Sequence, residues 1–205
     1  VIKYDYDPLT AFARFKQATI YRAGGDVVNI DVTQACDYAA PARAIYWGAR
    51  QIMLELGRLY PEDVVEYEIE KKGFTYALLS EAPADDESRF IPPMRGHFYD
   101  IVPFWVNEPT IRKVYQISVP NEKEIQFQFF HGACASSMYY DEGKKVYTFA
   151  VNDAFPTKKE PNMVDLFDAA PKLMLSSTPK WQDKSLWFNK VNEDYGSFNA
   201  IPEAQ

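Results

Sequence analysis

Between Pro41 and Tyr60 the apolar side chains Ile45, Ala49, Ile52, Met53, Leu56, Leu59 and Tyr60 fall at offsets of 0, 4, 7, 8, 11, 14 and 15. That spacing follows one face of a 3.6-residue helix, and it predicts a helix over 41–60. Arg43, Arg50, Glu55 and Arg58 lie off the stripe. Pro41 suits a first turn, where its missing N–H costs nothing, and Asp37 or the Asp31–Thr33 segment supplies a cap. Pro61 ends the element, because it disfavours helical geometry at Tyr60.

A hairpin is expected next. Val65, Tyr67 and Ile69 alternate with Glu66, Glu68 and Glu70, the pattern of a half-buried strand with an acidic outer face. Lys71-Lys72-Gly73 reads as a turn, and Phe74, Tyr76 and Leu78 resume the alternation on a return strand. Packing this sheet on roughly six large side chains of the helix stripe would contribute on the order of 10 kcal/mol before entropy is subtracted. The helix and its hairpin therefore form the expected nucleus.

The flanks read as strands and extended chain. Tyr4-Asp-Tyr6-Asp7-Pro8 opens as an acidic, aromatic arm, and Leu9, Phe12 and Phe15 suggest a short helix over 8–16. Thr19–Arg22 and Val27–Val32 flank the turn Ala23-Gly24-Gly25-Asp26. His97–Val106 is strand-like, with Pro103 confining part of it to a sheet edge or a bulge. Val114–Val119 is expected to pair with Ile125–Phe130 across Pro120–Lys123, and Met138–Tyr140 with Val146–Val151 around Asp141–Lys144. Val164–Leu175 reads as a short helix inside a tail punctuated by Pro156, Pro161, Pro171, Pro179 and Pro202. The expected fold is thus α+β: one main amphipathic helix on antiparallel hairpins and a meander, with extended arms at both ends. The expected division is a 1–16 arm, a 17–152 body and a 153–205 arm.

Composition narrows the function classes. A hydrophobic content of 47% and an aromatic content of 16% belong to an ordered chain, and the aromatics favour strands. A formal charge of −7, with basic pairs such as Lys71-Lys72, Lys144-Lys145 and Lys158-Lys159 isolated from one another, argues against a direct nucleic-acid partner. No apolar run approaches the ~20 residues of a helical membrane span, so no membrane partner is expected. Two cysteines, Cys36 and Cys134, are too few for a disulfide framework, and free thiols in a reducing compartment or a virus particle are expected.

No catalytic signature stands out. His131-Gly-Ala-Cys134 places an imidazole near a thiol, the raw material of a cysteine-dependent hydrolase or transferase. Such partners usually come from distant segments, so a loop with a small buried cysteine is the plainer reading. His97, His131, Cys36 and Cys134 lack the paired spacing of a structural zinc site, so no metal and no cofactor are expected. Glu66, Glu68 and Glu70 read as a solvated strand face. Arg95 and His97, with Trp105 and His131, could line an aromatic pocket for a small ligand or glycan.

Trp181, Trp187, Phe188, Tyr195 and Phe198 are scattered through polar sequence where a linker would carry none, and Tyr4 and Tyr6 open the other end. Aromatics in such positions are expected to anchor an arm on a neighbouring protein. The leading expectation is a non-enzymatic structural or assembly subunit of a larger complex, such as a virus particle, whose partners are the other protein subunits.

Overall fold

Period two prevails over period 3.6 across the stretch that anchors the sequence argument. In the computed structural model of the chain, the described residues are 1–40, 48–73, 98–158, 160–177, 180–183, 185–186 and 189. They are mostly strand, 54%, in four small antiparallel sheets, and no helix among them reaches seven residues. The chain divides into two units, Val1–Arg95 and Gly96–Gln205.

The expected helix over 41–60 is replaced, in its described part, by a strand at Arg50–Leu54. Ile52, Leu54 and Leu56 are the buried apolar residues, whereas Leu59 and Tyr60, on the expected stripe, are exposed. Ile52 and Leu56 satisfy both periods; Leu54, outside the helical stripe, fits only the strand. Pairing on both sides satisfies this strand's backbone groups, and Gly48 and Gly57 at its ends disfavour a helix. Gly57 adopts φ 72°, which a helix interior does not use. Ile45 lies outside the described residues.

The first unit holds β1 (Ile2–Tyr6), β2 (Ala11–Tyr21), β3 (Val27–Asn29), a 3-10 turn at Val32–Gln34, β4 (Cys36–Ala39), β5 (Arg50–Leu54) and β6 (Val64–Gly73). One sheet runs β1-β5-β4 and the other β3-β2-β6. Ala13, Phe15, Ala18 and Ile20 of β2 share a core with Ile52, Leu54 and Leu56, and Ile2, Tyr4 and Tyr6 pack against it. The N-terminal segment is therefore a paired core strand and not an extended arm.

The expected helix over 8–16 is also a strand from Ala11 onward. Asp7 accepts hydrogen bonds from Leu9 N at 2.9 Å and Ala11 N at 2.8 Å, a turn that launches β2. Ala11, Ala13 and Phe15 then point inward, while Leu9 and Phe12 are exposed. The ladder with β6 shifts register between Phe15 and Gln17. That bulge moves the inward phase from odd to even residues, which hides the period-two signal. The hairpin from β2 to β3 forms as expected.

No turn forms at Lys71-Lys72-Gly73. These residues continue β6, whose partner is β2, and Phe74–Leu78 lie outside the described residues. Glu70, Glu68 and Glu66 meet Arg14 Nε at 2.6 Å, Lys16 Nζ at 2.7 Å and Tyr21 Oη at 2.7 Å. The acidic face is thus a cross-strand ladder of charge and hydroxyl partners.

The second unit holds β7 (Tyr99–Pro103), β8 (Thr110–Pro120), β9 (Gln126–Phe130), β10 (Ala135–Asp141), β11 (Lys144–Ala154), α1 (Leu166–Ala169) and β12 (Lys172–Ser176). Its sheets run β10-β11-β8 and β7-β12-β9. The β10–β11 hairpin forms as expected, and β7, ending in Pro103, is an edge. The expected pairing of β8 with β9 does not occur: β8 pairs with β11, and β9 with β12. Alternation selects which face of a strand is apolar but leaves its partner open.

The partner of β9 lies in the expected helix 164–175, which divides into the single turn α1 and the strand β12. Leu173 and Leu175 are 0% and 1% exposed, at the centre of a core with Phe104, Val119, Ile125 and Phe149. The C-terminal region therefore supplies a central strand and is not an extended arm through this part. An α+β fold built on one main helix gives way to a mostly β protein.

Candidate functional site

After β11 the chain leaves the sheet and an apolar cleft of about 160 Å³ opens at the end of the core. Phe104, Trp105, Phe129, Ala154, Phe155 and Pro171 form most of its wall, completed by Gly132, Ala133, Val151 and Thr157. Phe104 meets Phe129 edge-on at 5.1 Å, and Trp105 meets Phe167 of α1 at 4.8 Å and 89°. Such crossed pairs hold the rings in fixed orientations. Lys113 Nζ donates to the Trp105 carbonyl at 3.1 Å and lies 5.8 Å from the Phe104 ring centre. Burial pushes its pKa down, because the ammonium has left part of its water.

Phe155, at the rim, is 82% exposed. Its neighbours on the chain fix it: Thr157 N donates to Val106 O at 2.9 Å, and Phe155 precedes Pro156. Nearby in sequence, Val164 and Phe167 are also exposed, as are Trp181 and Leu186 further on. Of the described chain beyond β11, it is β12 that buries large apolar side chains in the core.

The residues expected from sequence separate into three groups. Trp105 lines the cleft. His131 is exposed with φ 57°, immediately before the lining residues Gly132 and Ala133. Arg95 and His97 lie outside the described residues, so the proposed four-residue pocket is represented by Trp105 and the loop after His131. Cys134 is partly buried against the second core, and burial pushes its thiol pKa up. Among the described residues no hydrogen bond joins it to His131. A catalytic thiol needs the opposite shift.

Cys36 is exposed; both cysteines are free thiols. Among the described residues no three His, Cys, Asp or Glu groups gather as metal ligands. Among the expected anchors, Trp181 is 85% exposed, while Trp187, Phe188, Tyr195 and Phe198 lie outside the described residues. Tyr4 and Tyr6 point into the first core instead. Tyr6 Oη donates to Asp37 Oδ2 at 2.7 Å, and Arg50 Nε donates to the other oxygen at 2.9 Å, which ties β1 to β4.

Sequence reasoning missed Phe155, Pro171 and the β11 end of the cleft. The available signal was local: an aromatic residue stranded between the end of a strand and a proline, in Ala154-Phe155-Pro156.

No curated protein matches the chain. In fold it is similar to a solved structure from Parabacteroides distasonis ATCC 8503, described as a "putative protease", with a TM-score of 0.62 and 14% identity. The similarity covers 87% of this chain and 32% of that one, so this chain spans about a third of the length of the protein it resembles. At that identity the likeness concerns the fold. Residues 1–158 match the family described as "Domain of Unknown Function with solved-structure structure (DUF3857)", and the chain belongs to it.

Proposed function

We propose that the chain is a non-enzymatic interaction module that docks on another domain or subunit of a larger assembly through the aromatic surface following β11. The observation that carries this reading is the exposure of Phe155 and Trp181, 82% and 85%, on a segment otherwise tied to the body by β12. Large exposed aromatics cost solvation and become favourable on burial in a partner.

The size of the cleft favours docking over the small-ligand or glycan reading. Ligand pockets usually run to ~300–1,000 Å³. The cleft, at about 160 Å³, lies below that range and matches the insertion of a single side chain. The cysteine-enzyme reading draws no support from a thiol whose pKa is raised. The length relation to the "putative protease" supports a part played within something larger, while the family and fold say nothing of a virus particle.

Point variants test this better than truncation at residue 153, because truncation would remove Leu173 and Leu175 from the core. The tagged chain and its Phe155→Ser/Trp181→Ser variant are recovered from extract of the source cell. Docking predicts a stoichiometric companion held by the first and reduced at least tenfold with the second, whose circular dichroism is unchanged. Equal retention by both, or no companion at all, refutes the reading.

A further inference from the structure

Among the described strands, the edge at β10 differs from the others. Edge strands expose unpaired N–H and C=O groups and are usually shielded by shortness, charge, proline or a bulge. β3 and β4 have three and four residues, and β1, β7 and β9 have five each. The two long edges carry charge: Glu66, Glu68, Glu70, Lys71 and Lys72 on β6, and Arg112 and Lys113, with a terminal Pro120, on β8. β10 has seven residues, Ala-Ser-Ser-Met-Tyr-Tyr-Asp, all exposed, with no proline and an unbroken register against β11. Its one charge, Asp141, stands at its end.

Both faces of this edge also carry uncovered apolar groups. Met138 and Tyr140, on the face shared with Tyr147, are 45% and 64% exposed, and Tyr139, on the face shared with Val146, is 48% exposed. A strand added beside β10 would cover all three and satisfy its free backbone groups.

We propose that β10 is a dimerisation edge that pairs antiparallel with β10 of a second copy, with Met138 on the two-fold axis. This register uses all seven residues and sets Met138 against Met138, Ser137 against Tyr139, Ser136 against Tyr140 and Ala135 against Asp141. No like charges meet, because the lone carboxylate of each strand faces an alanine. A two-fold contact closes on itself and joins the three strands β8-β11-β10 of each copy into one continuous sheet. The contact rests on β10 alone and is independent of the docking surface at Phe155 and Trp181.

Sedimentation equilibrium of the full chain over about 1–200 µM reads the association. The expected result is a concentration-dependent dimer that Met138→Lys and Met138→Glu each weaken at least tenfold, since the two-fold axis sets like charges directly opposite. Both variants should keep the wild-type circular dichroism and melting temperature, because Met138 is exposed in the monomer. Mixing the two variants should restore a dimer, of one chain of each kind. Three results overturn the proposal: a wild-type monomer throughout, which would leave the edge to a strand from a different chain; a dimer that neither variant weakens; or charge variants that do not combine.

Discussion

Replacing Gly73 by alanine should destabilise the first unit well beyond what one methyl group in a surface strand ordinarily does. Gly73 is the last rung of β6, opposite Ala11, and adopts φ 138°. A Cβ built there would lie 2.1 Å from Thr10 O, 2.6 Å from Ala11 Cα and 3.0 Å from Ala11 Cβ. Carbon atoms in favourable contact sit ~3.5–4.0 Å apart, so the overlap exceeds an ångström and falls largely on backbone. A non-glycine residue in such a sparsely populated backbone region costs about 1–3 kcal/mol. The alternative to strain is to open the rung, which gives up roughly 1 kcal/mol per ladder hydrogen bond and exposes Ala11 and Thr10, 2% and 3% exposed in the fold. Either route leads to about 2–4 kcal/mol, a large fraction of the ~5–15 kcal/mol of a typical domain.

The assay is urea denaturation of the full chain followed by far-ultraviolet circular dichroism, with Gly24→Ala as the control. A Cβ on Gly24 meets nothing within 4 Å, so the control should stay within about 0.5 kcal/mol of wild type. The transition reporting the first unit should move to lower urea for Gly73→Ala alone. If Gly73→Ala is as stable as the control, the close approach of β2 to the end of β6 is wrong.

Three further predictions use the same logic. Leu54→Ala should cost about 2–5 kcal/mol, since Leu54 is 1% exposed, whereas Leu59→Ala, at 44% exposure, should stay within ~0.5 kcal/mol; a helix with the expected stripe would reverse the order. Asp63 accepts from Tyr60 N at 2.7 Å and from the Arg22 guanidinium, with the backbone bond the larger cause, and its carboxyl is held below its usual value of 3.8. Because the folded pKa is the lower one, this stabilisation is complete above the unfolded value and is lost as pH falls through the folded one. Wild type should therefore lose its advantage over Asp63→Asn in urea midpoints taken from pH 6 down to pH 2. Iodoacetamide at pH 8 should modify exposed Cys36 before Cys134, whose thiol is partly buried and has a raised pKa, with mass spectrometry reading the order; faster labelling of Cys134 would revive a reactive thiol.

The candidate site was legible in part. Trp105 was singled out from sequence as an aromatic wall for a pocket with Arg95 and His97, and Trp181 because a large aromatic in a polar, proline-marked tail requires burial in something. Phe155 was overlooked because its importance comes from position: it caps a cleft whose other walls, Phe129 and Pro171, stand 26 and 16 residues away along the chain. The His131–Cys134 pairing was legible as a pattern, but whether a thiol is activated depends on what it packs against, and here that is the apolar second core.

The sequence by itself determined local properties: the aromatic and β-branched bias toward strands, the hairpin turns at Ala23–Asp26 and Asp141–Lys144, the acidic outer face of β6 and the restriction of Pro103 to an edge or a bulge. Each follows from covalent geometry or from side chains a few residues apart. Only the tertiary structure decided between helix and strand at Ile52–Leu56, because Ile52, Met53 and Leu56 fit a helical stripe, Ile52, Leu54 and Leu56 fit a strand, and the ladders with β1 and β4 decide between them. It alone also matched β9 with β12 and placed Leu173 and Leu175 in the core instead of a tail. Strand pairing is a contest among distant segments with the same alternation, settled by how completely each choice buries apolar faces and satisfies backbone groups.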